Sequence, residues 1–553
     1  MYERIHRSVN RFIRKWEAIQ VELHGHYSIE RFAAMNEYNR STSSWRALSM
    51  LLFAPLPSLI LVALIDAMPL EAPEQGLTQS GVSWARGTLT CFIYTHCVVE
   101  QIRLYSPNFK LGPLAGVCIS LPTAIFTNAL AFGLAALICW PLPFASILMS
   151  GPWLGFMTFF LLRGRGAHLR ANPEAVKDVM RFATISGAQI VMVLIYAAFN
   201  IIFTNLSPTY QPLFALLIPA FKVLQKNVLS RILAGRDDTK PQVVILNVEI
   251  FNALFIASCM QNSQSISTSI TLITVDLLQA AISLLDLCRM MNGEQKSLDK
   301  LGVRSNALIS TAELVLENYP NRRTTTVTSE SQPRVARISL KKKQVLPTMN
   351  MECGEYEIPI PRSHPLSVRD VSRVSSIQSG STTDKGVEVA SARPTTSLNR
   401  VSSQAHYRLL KKALQVLFLT EFMLLIEFTE VLVPVIYGGY LVILYHFPNR
   451  RFYPQLSTLS DEELWNKVTS VLEYGVLELV SLVLLILVLN RLVHGYSLKQ
   501  LAFVFEREFL LVQPKLILWV TMTMQSTLPQ LGVDYSFKFA WIRNSSNSTV
   551  PEG

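Results

Sequence analysis

The chain is 553 residues long, half of them apolar and only 16% charged, against roughly a quarter charged in an ordinary soluble domain. With a mean hydropathy of +0.31 and apolar residues gathered into bilayer-length blocks, the composition excludes a soluble globular enzyme, a coiled coil and a secreted disulfide scaffold. The formal charge of +11 does not imply a nucleic-acid partner: between Arg289 and Lys412 stand 20 Lys and Arg against 11 Asp and Glu, a net +9 that leaves only +2 for the rest.

Residues 1–44 read as a cytosolic segment. Ile5, Val9, Phe12, Ile13, Trp16 and Ile19 recur at helical spacing with Arg7, Arg11, Arg14 and Lys15 between them. That pattern suits a helix lying on an anionic inner leaflet, and equally one packed on the protein's own cytosolic loops. His24 and His26 flank a glycine without further ligands nearby, so no metal is expected there.

Eight apolar blocks follow within residues 45–289. They are Arg46–Leu70, bent at Pro55 and Pro57, then Gly87–Leu104, Leu114–Trp140 and Leu142–Leu162. The last two are separated by a tight Trp140-Pro141-Leu142-Pro143 turn. Phe182–Phe203, Pro212–Ile232, Val243–Met260 and Ile266–Cys288 complete the set. Loops bearing Arg103 and Lys110, then Arg163, Arg165 and Arg170, then Arg231, Arg236 and Lys240 are basic. Their counterparts are nearly neutral, which places the N-terminus and the basic insertion in the cytosol. Six of the seven cysteines fall within or beside these blocks and are expected as free thiols.

Residues 290–408 form the insertion, rich in Ser, Thr, Arg and Pro, with too little apolar density to offset chain entropy; it is expected to be disordered. Arg334–Ser339 has the Arg-x-x-Arg-x-Ser form read by basic-directed protein kinases, and Arg-Val-Ser-Ser occurs at Arg373–Ser376 and Arg400–Ser403. Ser339, Ser375, Ser376, Ser402 and Ser403 are therefore candidate phosphorylation sites, where added phosphate would cancel attraction to anionic lipid.

Residues 409–530 hold the second membrane region. Leu409–Phe447 runs for 39 residues, about 58 Å if helical, as either two short spans or one long bent helix. Val468–Leu489 and Phe509–Leu528 follow. One long helix gives eleven spans in a range of ten to twelve, and puts the tail (531–553) outside with Asn544 and Asn547 as candidate glycosylation acceptors.

The predicted fold is thus an all-α, polytopic transmembrane bundle in a plasma membrane or endomembrane. No phosphate-binding glycine loop, Cys-x-x-Cys, His-Glu-x-x-His or Gly-x-Ser-x-Gly occurs, so no enzyme activity, cofactor or metal is expected. Ionised groups at membrane depth are costly, and they concentrate at Lys222, Lys226, Glu249 and Asp276, then at Glu421, Glu427 and Glu430. One reading is a proton or cation site with Lys222 as internal counter-charge to Glu249 and Asp276. The other is a salt-bridge cluster that fixes helix packing. His96 and Glu100, at i and i+4, are placed to bond each other.

Tyr27–Phe32 (YSIERF), Ala54–Ser58 (APLPS), Ala67–Leu70 (AMPL), Glu421–Tyr440, His446–Asn449 (HFPN), Tyr453–Gln455, Gln513–Trp519 and Gly532–Tyr535 resemble a family of uncharacterised polytopic membrane proteins from oomycetes. The resemblance implies a membrane fold spanning both halves and brings no activity or site residues. The expected function is a transporter or permease for a small solute or ion using buried carboxylates; the alternative is a non-transporting scaffold or receptor-like protein regulated through the insertion.

Overall fold

The computed structural model describes residues 20–262 except 107 and 208, then 274, 278–289, 291, 308–318, 395–453, 456–493, 497–525, 527–533 and 539. Among them every regular element is helical. The chain divides into two units: residues 1–331 with 403–553, and residues 332–402, whose described part is helix at 395–402.

Capping chemistry sets many boundaries. Ser28 accepts from the Arg31 N–H to start α1 (Ile29–Ser41), and Ser43 does the same for Arg46 at α2 (Ser44–Phe53). Pro55 and Pro57 then break the first apolar block, which resumes as α3 (Leu56–Asp66). The helices α4 (Gly81–Tyr105), α5 (Pro113–Leu137) and α6 (Ala145–Ala171) pack in sequence. Asn172 caps α7 (Pro173–Asn205), with Pro173 at its first position. Short α8 (Gln211–Ala215), then α9 (Leu217–Ile232) and α10 (Lys240–Asn262), complete this half.

Residues 278–289 are helical, as is α11 (Leu308–Asn318). α12 (Thr395–Tyr445) is one continuous helix with Pro434 inside it and no turn at Thr429–Glu430. It also starts fourteen residues ahead of the apolar run, so the parts of the insertion that are described are helical at both places. A reciprocal capping box between Ser460 and Glu463 opens α13 (Asp461–Val493). An amphipathic helix, α14 (Ser497–Arg507), packs on α1 and α2, and α15 (Phe509–Gln525) packs on α3, α4 and α10.

Five described helical stretches are long and apolar enough to cross a membrane: Ser44–Asp66 (α2 with α3), Pro113–Leu137, Ala145–Ala171, Pro173–Phe203 and Asp461–Val493. Their outward faces explain the composition. Leu52, Phe53, Ile60 and Leu64 are exposed on α2 and α3, Leu121, Ile125 and Phe126 on α5, and Val476, Leu477, Leu484 and Leu487 on α13. Continuous apolar faces of this extent are unusual against water and ordinary against lipid. From Leu409 onward α12 is the inverse, buried on nearly all sides, as expected of a helix apolar all round at the centre of a bundle.

Candidate polar site

Charged side chains on four helices meet inside the bundle. α9 presents Lys222 and Lys226 one turn apart, and α10 presents Glu249 between them: Nζ of Lys222 lies 3.1 Å and Nζ of Lys226 2.7 Å from the two Glu249 oxygens. On its other side, Lys222 reaches Glu430 of α12 at 3.6 Å. Glu430 in turn belongs to a trio with Glu427, three residues earlier on the same face, and Glu478 of α13; one carboxylate oxygen from each lies within 4.8 Å of the others. Ser481 donates to Glu427 at 2.6 Å. All of these acids are buried.

The position is near mid-length of the helices that build it. Glu478 stands close to the middle of the 33-residue α13, and Glu430 close to the middle of the 39-residue apolar run. Among the described residues, two ammonium groups face four carboxyl groups. With all six ionised the cluster would carry −2, which a buried site does not sustain: carboxyls this close share protons or gather round a cation. The trio supplies hard oxygen ligands of the kind that hold Na+, Mg2+ or Ca2+.

Of the residues anticipated from sequence, Lys222, Glu249 and Glu427 lie in this cluster. Glu421 does not. It sits two turns nearer the N-terminal end of α12, where Arg31 of α1 reaches its carboxylate at 2.9 and 3.2 Å. Gln242 adds a bond to it at 2.8 Å. The same guanidinium bonds Glu508, at the junction of α14 and α15. Burial, partly opposed by Arg31, pushes the Glu508 carboxyl up to about 7. Arg31 also lies over the rings of Tyr27 and Phe503.

Asp276, Ser339, Ser375, Ser376, Asn544 and Asn547 lie outside the described residues, and Ser402 and Ser403 fall within the helical range of α12. Glu100 bonds Arg103 at 2.7 Å, not His96, whose ring stacks on Phe92. His24 Nδ1 bonds the Gln20 carbonyl at 2.7 Å.

Sequence reading missed Arg31 because it stands at a helix end, where charge is ordinary. A third cluster was missed for the same reason. Arg86 of α4 and Asp66 of α3 form a buried ion pair, with side chains 4% and 1% exposed. Tyr440 and Tyr453 each donate to Asp66 at 2.8 Å. Asn449 closes this end by bonding the backbone of Asp66, Met68 and Leu70. The Ala67–Leu70 and His446–Asn449 segments meet there.

Comparison of the chain with family models, with curated proteins and with solved structures gave no match.

Proposed function

We propose that this chain is a multi-pass membrane protein of about eleven spans, with N-terminus and insertion cytosolic, that moves a proton or small cation through the cluster of Lys222, Lys226, Glu249, Glu427, Glu430 and Glu478. The partner in this reading is the lipid bilayer itself, with anionic inner-leaflet lipid and a protein kinase acting on the basic insertion. Likeness to the oomycete family fits the same reading without adding a substrate.

One observation carries it: four buried carboxyl groups around two lysines, at mid-length of helices among which α13 is apolar enough to span. A site built only for packing needs charges in balance, and among the described residues acids exceed bases here. Ion sites of secondary transporters lie at similar depth, where bound protons or cations complete the charge.

The test is flux. Purified protein in liposomes is given a proton or Na+ gradient, and uptake is compared with that of Glu430→Gln and Glu249→Gln. The reading expects wild-type flux at least tenfold above the variants. Equal rates in all three, with the variants folded, would make the cluster a packing device.

A further inference from the structure

Lys515 lies in α15, and its side chain is almost wholly enclosed, 1% exposed. Its Nζ has two described neighbours: the backbone carbonyl of Val243 on α10 at 3.5 Å, the long limit of a hydrogen bond, and the ring of Tyr105 on α4 with its centroid 5.4 Å away. Neither carries a negative charge. An ammonium group offers three N–H donors, so most of its donor capacity is unspent.

Carboxylates on the packed elements are engaged elsewhere. Asp66 of α3 holds Arg86, Glu100 of α4 holds Arg103, Glu249 of α10 holds Lys222 and Lys226, and Glu508 holds Arg31 through one oxygen while its other oxygen is buried without a hydrogen-bond partner. Among the described residues, then, the amine has no counter-charge, in a location where an uncompensated cation is strongly disfavoured.

Two further buried donors stand on the α4 side of Lys515. The Tyr105 hydroxyl, buried beside Lys515, has no hydrogen-bond partner, and neither has Nε2 of Gln101, one helical turn earlier on the same face of α4. The antiparallel register of α4 and α15 is set by the Tyr105–Lys515 contact at one end and a Thr90–Gln525 bond of 3.5 Å at the other. Gln101 therefore faces the turn of α15 that follows Lys515. Three buried donors along one seam, of which only the Lys515 amine has an acceptor, the Val243 carbonyl at the long limit, suit an anion.

We propose that Lys515, with Tyr105 and Gln101, forms a buried binding site for a small monovalent anion between α4, α10 and α15. It is a separate site from the carboxylate cluster and of opposite sign, and its existence does not rest on the transport reading. Chloride and a small carboxylate share the chemistry that these donors recognise.

The experiment is anion-dependent thermal unfolding of the purified full chain in neutral detergent. Sodium chloride or sodium acetate is titrated against sodium gluconate at constant ionic strength, so that general screening stays fixed. Wild type is expected to show a saturable rise in Tm of several degrees with chloride, acetate or both, and the stronger of the two identifies the source. Lys515→Met should abolish the rise. Tyr105→Phe and Gln101→Leu keep the amine and remove one donor each, and are expected to weaken the half-saturating concentration about tenfold. They decide the matter if Lys515→Met does not fold. A wild-type Tm indifferent to both anions, or a titration unchanged in the variants, would overturn the proposal.

Discussion

The side-chain amide of Asn449 donates to the backbone carbonyl of Asp66 across 383 residues of sequence, at 2.6 Å. The same amide bonds Met68 O at 2.7 Å, and its oxygen accepts from Leu70 N–H at 2.7 Å. One side chain thus satisfies three backbone groups of the turn that leaves α3, groups that no helix serves. Asn449→Ala strands them in a buried setting, at a cost of about 3 kcal/mol for the set. Thermal unfolding in detergent should show a Tm lower by several degrees; an unchanged Tm would mean that water reaches the turn.

Glycine at 475 permits the approach of α13 to α12. A Cβ at that position would stand 2.9 Å from Cβ of Pro434, and neither ring nor helix backbone yields easily. Gly475→Ala is expected to cost about 1–3 kcal/mol as overpacking. Because Glu478 lies one turn further along α13, the same variant should displace it from Glu427 and Glu430 and reduce ion flux. Stability and flux are read on one preparation, and loss of neither would show that the helices part freely.

Removing the cation at the centre of the candidate site should hurt more than removing one of its acids. Lys222→Met leaves one lysine among four carboxyl groups and breaks two buried pairs, to Glu249 and Glu430. A cost of about 3–5 kcal/mol follows from leaving buried charge unpaired. Glu478→Gln relieves like-charge crowding in the trio and should be neutral or stabilising. Comparing the two melting temperatures checks the charge arithmetic directly: the opposite order would mean that the trio is protonated throughout.

Membrane-length apolar stretches were legible because their signal is a local average. The break at Pro55 and Pro57 was legible because proline acts on its own turn of helix. Lys222 opposite Glu249 followed from depth, since charges far from both ends of an apolar run have few partners. What lay hidden was pairing across sequence distance. Arg31 meets Glu421 and Glu508, and Asp66 meets Arg86, Tyr440 and Tyr453. In each case a residue at a helix end looks solvated until the neighbouring helix is known. α14 escaped notice for a related reason, being short and polar on one face. Its apolar side, Leu501 to Phe505, is buried because α1 and α2 cover it and Phe505 packs on Phe428 of α12.

Glu508 gives a pH signature of its own. Burial raises its carboxyl to about 7 from an ordinary 4.5, with Arg31 pulling the other way and Glu421 reinforcing the rise. A carboxyl with a raised folded pKa binds its proton more tightly folded than unfolded. Its stabilising contribution is therefore complete below about 4.5 and is lost as pH climbs through 7. The upper bound is roughly 3 kcal/mol, since a tenfold change in proton affinity is worth about 1.4 kcal/mol. Glu508→Gln holds the neutral shape at every pH, keeps an acceptor for Arg31 and cannot titrate. Between pH 5 and 8 the Tm of wild type should fall relative to that of the variant, with the two closest at the acid end. Parallel curves across that window would show instead that the guanidinium of Arg31 keeps both Glu421 and Glu508 ionised throughout.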